Sequence, residues 1–182
     1  MAITAIANHV DLILSNDNRG TAVPPVVFPG INPTNAFSWS IWVRATTNLP
    51  TWVTGHNCQD GSQIIIYSDG TSWFLNVRNG ATTVTNFPMI PIVVGRWTLF
   101  CVSKNGPDLT IYSAVEAPLA DHPELTPVTL SLIAAASYTI DSPLYNFIIV
   151  VMGNADYSCF KFWNAVLTKA QFEAQAQSFD AT

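Results

Sequence analysis

An antiparallel β-sandwich closed by a short C-terminal helix is the fold class that this 182-residue chain predicts. Three observations predict it. Apolar residues alternate with polar ones over short stretches, the pattern of a strand with one buried face. Asn-Gly and Asp-Gly turn pairs separate those stretches at regular intervals. No sustained helical period appears before residue 168, where a capped helix begins.

The clearest strand is Phe37-Ser38-Trp39-Ser40-Ile41-Trp42-Val43-Arg44. Phe37, Trp39, Ile41 and Val43 share one face, which is assigned to the core. Ser38, Ser40, Trp42 and Arg44 take the other, so Trp42 needs a cover on the outer face. Further strands are expected at 51–54, 63–67, 72–78, 82–86, 97–104, 109–115, 129–133, 146–152 and 157–163, after a strand-like segment from His9 to Leu14. The intervening turns are Asp60-Gly61, Asp69-Gly70, Asn79-Gly80, Asn105-Gly106-Pro107-Asp108 and Gly153-Asn154. Many short strands without crossover helices mean antiparallel pairing. Pro-rich stretches at 22–33 and 117–127 are expected as loops, too short to divide domains. One domain over 1–182 follows, long enough to bury a core without staples.

At the end, Thr168 and Gln171 have capping-box spacing, in which each side chain satisfies a backbone N–H of the first turn. Phe172 and Phe179 stand among Ala and Gln, so the helix is expected to pack on the sandwich through them.

Composition narrows the function. Charged residues are 10% of the chain, against about 25% in ordinary globular proteins. Seven basic residues against twelve acidic ones leave a net charge of −5. Nucleic acid is excluded as a partner, because phosphate binding needs clustered Lys and Arg. No membrane insertion is expected, since no apolar run approaches the length of a spanning helix. No signal peptide is recognised in Met1 to Val10, which has no basic residue and a short apolar run. Three cysteines, Cys58, Cys101 and Cys159, allow at most one internal disulfide. A cytoplasmic setting is therefore favoured over secretion.

Catalytic constellations are missing. Retaining glycosidases need two carboxyls about 5–5.5 Å apart, yet no predicted strand carries acids at alternate positions. Glu116, Glu124 and Glu173 are scattered over loop and helix. His9, His56 and His122 have no Gly-x-Ser-x-Gly elbow to serve. His56 with Cys58 is half a zinc site without a second half.

The stretch that most resembles a binding site is Trp52 to Gln63. Trp52, His56, Asn57, Gln59 and Asp60 combine an aromatic face, an imidazole, amides and a carboxylate, and Tyr67 and Asn76 follow on the next two strands. Sugars need this mixture of stacking surface and planar hydrogen-bonding groups. The plainer reading, in which Trp52 and Trp73 are core and the loop only solvated, is favoured for Trp73, whose face is shared by Leu75 and Val77. No cofactor is demanded. Calcium is the ion that would suit the oxygen-rich turns around Asp17, Asp60 and Asp156, although turns use Asn, Asp and Gly in any case.

Three motifs together resemble the laminin-G-like and pentraxin-like domains of the concanavalin A-like jelly rolls. They are Phe37 to Val43; Gly95-Arg96-Trp97-Thr98-Leu99-Phe100-Cys101-Val102 with the Asn105-Gly106 turn and Leu109 to Tyr112; and Phe160-Lys161-Phe162-Trp163-Asn164-Ala165-Val166-Leu167-Thr168. The resemblance implies a jelly roll. It also implies a disulfide position at Cys101, but Ser40 stands at the partner position, so no bridge is expected. The matching place for a calcium-binding Asp, around Ser158-Cys159, has no carboxylate.

The function expected is a lectin-like, non-catalytic module that binds glycans through loops or the concave sheet face. A homo-oligomer would supply avidity. The alternatives are a structural or protein-interaction module that uses an exposed Trp42, and a glycoside hydrolase or lyase with its acids in loops.

Overall fold

A computed structural model of the protein describes residues 9–12, 36–58, 63–79, 83–115, 128–137, 144–148, 155–163 and 165–176. Eleven strands and one helix lie within them: β1 (His9–Leu12), β2 (Phe37–Ala45), β3 (Thr51–Cys58), β4 (Gln63–Ser68), β5 (Ser72–Asn79), β6 (Thr83–Pro91), β7 (Trp97–Asn105), β8 (Asp108–Val115), β9 (Ser131–Ser137), β10 (Leu144–Ile148), β11 (Ala155–Trp163) and α1 (Lys169–Ala176). They form a six-stranded sheet, β1-β11-β2-β7-β8-β9, and a five-stranded sheet, β10-β3-β4-β5-β6. Every pairing is antiparallel, as the absence of crossover helices requires. Two sheets of this kind sharing one core make the predicted sandwich.

The core lies between the sheets and obeys the alternation of β2. Phe37, Trp39, Ile41 and Val43 meet Phe100, Val102, Leu109, Ile111 and Phe162 on the six-stranded side, and Ile64, Ile66, Trp73, Leu75 and Val77 on the five-stranded side. Trp73 crosses the gap edge-to-face onto Phe100, with centroids 5.8 Å apart. The core assignment of Trp73 thus holds.

A second apolar layer covers the outer face of the six-stranded sheet. Trp42, Trp97, Leu99, Cys101 and Trp163 are buried there beneath Val128, Leu130, Leu167, Phe172 and Ala176. Phe172 of α1 stands edge-on to Trp163 at 5.8 Å and tilted against Tyr112 at 6.1 Å. Trp42 is only 1% exposed, which corrects its assignment as an exposed contact patch: the helix segment is the cover that its position demanded.

Ser38 fastens this cover. Its hydroxyl donates to the carbonyl of Ala165 at 2.8 Å and accepts from the N–H of Leu167 at 2.9 Å. The Ser103 hydroxyl lies 3.1 Å away on the neighbouring strand. The capping box forms as its spacing implied: Thr168 N–H donates to Gln171 Oε1 at 2.8 Å, and Gln171 N–H to Thr168 Oγ1 at 3.4 Å. Lys161 Nζ donates to the carbonyl of Gln175 at the far end of α1, where a cation favours the helix dipole. Glu173 Oε1 accepts from the N–H of Leu130, tying the incoming segment to the same helix. Phe179 lies outside the described residues.

The Asp69-Gly70 turn joins β4 to β5. Asp69 Oδ1 accepts from the Thr71 hydroxyl and from the N–H groups of Thr71 and Ser72, at 2.7–2.9 Å. The Thr71 hydroxyl and these backbone donors hold the carboxyl below its ordinary range. Gly70 has φ +95°, and a Cβ there would stand 2.4 Å from the carbonyl oxygen of Asn48. Glycine is therefore the residue that fits. The Asn105-Gly106 turn closes β7 onto β8 with Gly106 at φ +56°. The Asp60-Gly61 and Gly153-Asn154 turns fall outside the described residues.

Several strands run further than expected. β6 continues through Pro88 to Pro91, which an edge strand tolerates because one side of its ladder is unpaired. β9 starts two residues later than expected and ends at Ser137, while β10 starts two residues earlier than expected, at Leu144, and residues 149–152 of the expected strand lie outside the described residues.

Ser40 and Cys101 are directly opposed in the β2–β7 register, so the expected hydroxyl-for-thiol pairing is what the ladder contains. Cys101 is free and buried. Burial, with the Glu173 carboxylate adding to it, pushes its thiol well above the ordinary range.

Two predictions follow from this packing. Trp39→Ala should lower the unfolding free energy by about 3–5 kcal/mol, and Ser38→Ala by about 1–3 kcal/mol, because a buried Leu167 N–H loses its acceptor. Urea denaturation would measure both. In a variant with Cys58→Ser and Cys159→Ser, the remaining thiol should react with a thiol reagent only after denaturation. Its folded pKa is raised, so the neutral thiol's contribution is present below the unfolded value of about 8.5. That contribution should be lost as pH rises beyond it, and urea curves between pH 7 and 10 would show the decline.

Candidate functional site

The two outer faces of the sandwich differ. At the centre of the six-stranded sheet that face is buried under α1 and residues 128–130, while Leu132 of the edge strand β9 is exposed. On the five-stranded sheet, Tyr67, Phe74, Asn76 and Arg78 are half-buried and Asn86 is exposed. Because side chains alternate across a sheet, the strands that send Ile64, Ile66, Trp73, Leu75 and Val77 into the core must present these residues on the other side.

Register gathers them into rows that run across the strands. In one row Trp52 of β3 is the partner of Tyr67, and Tyr67 of Phe74. The rings of Tyr67 and Phe74 stack with centroids 5.3 Å apart and 17° between planes. In the next row Ile65 pairs with Asn76, and Asn76 with Asn86. Asn76 Nδ2 donates to Asn86 Oδ1 at 2.5 Å. In the third row Asn57 pairs with Gln63, and Gln63 with Arg78. Aromatic carbon, paired amides and a guanidinium thus occupy neighbouring rows of one face.

The amide pair has definite chemistry. One N–H of Asn76 and the carbonyl of Asn86 are used on each other. Each amide has two donors and two acceptor lone pairs, so further donors and acceptors remain on both for adjacent hydroxyls that both give and take a hydrogen bond. The Tyr67–Phe74 stack supplies apolar surface beside them.

Of the residues singled out from the sequence, Tyr67 and Asn76 belong to this face. Trp52 and Asn57 hold register positions in its first and third rows. His56 and Asn57 are not loop residues as expected: β3 continues to Cys58, because it is paired on both sides, by β4 and by β10. His56 is the partner of Ile64, a core residue, and so stands in a different row from Asn57. Gln59 and Asp60 lie outside the described residues, as does Asp17. Asp156 is on β11, opposite Arg44, in the other sheet. Among the described residues no three His, Cys, Asp or Glu side chains gather into a metal-binding group. Sequence reading missed Phe74, Arg78 and Asn86. The signal for Phe74 and Arg78 was alternation within β5, where Phe74, Asn76 and Arg78 must oppose Trp73, Leu75 and Val77; Asn86, on β6, joins them through its register with Asn76.

Comparison with known proteins supports the fold. No family model matches the chain, and no curated protein matches it. Solved structures do. The receptor-binding domain of botulinum neurotoxin type G aligns with a TM-score of 0.55 at 10% identity, over 79% of this chain and 38% of that one. The binding domain of botulinum neurotoxin DC, solved in complex with SialylT, aligns with a TM-score of 0.58 at 10% identity, over 96% and 48%. Trypanosoma rangeli sialidase aligns with a TM-score of 0.55 at 11% identity, over 82% and 24%. The chain spans less than half the length of each. These similarities are similarities of fold.

The cross-strand amide contact is testable. Asn76→Ala and Asn86→Ala, made singly and together, should show a coupling of about 0.2–1 kcal/mol in urea denaturation. A coupling of zero would mean that the two amides do not meet.

Proposed function

We propose that this protein is a non-catalytic carbohydrate-binding module whose site is the outer face of the five-stranded sheet. The observation that carries the reading is the placement of the half-exposed Tyr67–Phe74 stack beside the hydrogen-bonded Asn76–Asn86 pair. Apolar ring surface and planar amides are the two components that a sugar recognises. The strands of this sheet contain no Asp or Glu, so a two-carboxylate hydrolysis has no acid or base on them. The structural neighbours agree in kind: two are toxin binding domains, one of them solved with SialylT, and the third is a sialidase. A laminin-G-like or pentraxin-like lectin is the finer form of this reading. It rests on the three sequence motifs and on Ser40 lying opposite Cys101.

A second reading has its own observation. Leu49, Val93, Val94 and Val115 are 56%, 47%, 44% and 44% exposed. The N–H of Gly95 donates to the carbonyl of Ala45, and Val115 pairs with Thr98 beside Trp97. This end of the sandwich, and not Trp42, is the apolar surface that a protein-interaction module would use.

A glycan array bearing neutral and acidic oligosaccharides separates the readings. On the first, the protein binds at least one glycan. Asn76→Ala should then weaken that binding by about ten- to a hundredfold, or about 1–3 kcal/mol, by leaving sugar hydroxyls unpaired. Its melting temperature should stay close to that of the wild type, since losing one cross-strand amide contact on a half-buried side chain changes stability by under about 1 kcal/mol. Binding to no glycan, with self-association in light scattering that Val93→Ser abolishes, would replace the first reading with the second.

A further inference from the structure

We infer that the glycan bound by the five-stranded face is acidic, and that Arg78 receives its carboxylate; this rests on the carbohydrate-binding reading above. The argument is the distribution of charge. The chain has seven basic and twelve acidic residues. The strands β3, β4, β5, β6 and β10 contain one of these nineteen, Arg78, and no carboxylate. On a protein of net charge −5, the sheet that presents the sugar-suited side chains is therefore the part whose strands are cationic. A carboxylate approaching the face meets no Asp or Glu on the strands beneath it. Among the described residues, the acid nearest to these strands in sequence is Asp69, in the turn between β4 and β5, where its carboxylate accepts from Thr71 and Ser72.

Position supports the same assignment. Arg78 and Asn76 occupy alternate positions on β5 and so the same side of the sheet, about 7 Å apart along the strand. One sugar residue can bridge that distance, with ring hydroxyls on the Asn76–Asn86 amides and an acid group at the guanidinium. Arg78 is half-buried, so its charge is less screened than that of a free surface cation. A guanidinium offers five N–H donors in a planar fork that matches a carboxylate with two parallel hydrogen bonds, and a donor already engaged elsewhere leaves others for the ligand.

The test uses pairs of probes that differ in the acid group alone: tetragalacturonate against its carboxyl-reduced form, and 3′-sialyllactose against lactose. Titration calorimetry on the whole chain should show one acidic member bound at least tenfold more tightly than its neutral partner, with the preference shrinking as salt is raised. Arg78→Gln should abolish the preference, so that the two members of each pair bind alike, and Arg78→Lys should keep part of it. Equal affinities within both pairs, or a preference that survives Arg78→Gln, would overturn the acidic assignment and leave the carbohydrate reading standing. Tighter binding of 3′-sulfolactose than of 3′-sialyllactose would overturn the carboxylate in favour of a sulfate ester. Binding of no glycan on the array would remove both readings. The salt series and Arg78→Lys keep the test decisive if Arg78→Gln does not fold.

Discussion

The six-stranded sheet is apolar on both faces, and the rest of the molecule is arranged around that fact. Strand β2 shows it directly. Trp39 and Trp42 are near neighbours in sequence, point to opposite sides, and are both buried. A sheet with two apolar faces cannot leave one in water. The second sheet covers one, and the segment 128–130 with α1 covers the other. α1 is only eight residues long, too short to be stable alone. It holds because Phe172 is wedged against Trp163 and Tyr112, and because Ser38, Lys161 and Leu130 bond to its approach, its far end and its Glu173. With the centre of the six-stranded sheet covered on both faces, and Leu132 at its β9 edge left 61% exposed, the outer face of the five-stranded sheet presents Tyr67, Phe74, Asn76, Arg78 and Asn86.

Charge follows the same division. Arg44 lies over the Trp97 ring at 4.7 Å, Lys161 caps α1, and Lys104, on a core-facing position, donates to the carbonyl of Gly106. Each has structural work in the six-stranded sheet or at its ends. Arg78 is the basic residue on the strands of the five-stranded sheet, and it stands in a row with amides. The low charge of the protein as a whole leaves hydroxyls, amides and rings to form its polar surface.

Much of the fold was legible in the sequence, because it was written in local signals. The alternation in Phe37 to Arg44, the Asp69-Gly70 and Asn105-Gly106 turns and the Thr168–Gln171 box each act over fewer than ten residues, and each appears in the structure. What failed depended on pairing. Gly55-His56-Asn57 has the composition of a turn, yet ladders on both sides hold it extended, an override of local preference by neighbours. The strand expected at 82–86 runs on through Pro88, which is accommodated at an edge. Asn86, Asn76 and Tyr67 come from three strands. Their meeting is set by register, which the sequence constrains only through the alternation of each strand separately. For that reason the candidate site was half legible: Tyr67 and Asn76 were visible, while Phe74, Arg78 and Asn86 became candidates only once the rows were assembled.

The central claim is that the outer face of the five-stranded sheet is the binding surface. Nuclear magnetic resonance tests it most directly, by following the side-chain amides of Asn76 and Asn86, the Arg78 guanidinium and the rings of Tyr67 and Phe74 as a glycan selected on an array is added. The account predicts that these signals shift together and saturate at one affinity, while the indole signals of Trp42, Trp97 and Trp163 stay still beneath α1. Shifts confined to Leu49, Val93, Val94 and Val115, or centred on the indoles under the helix, would contradict it.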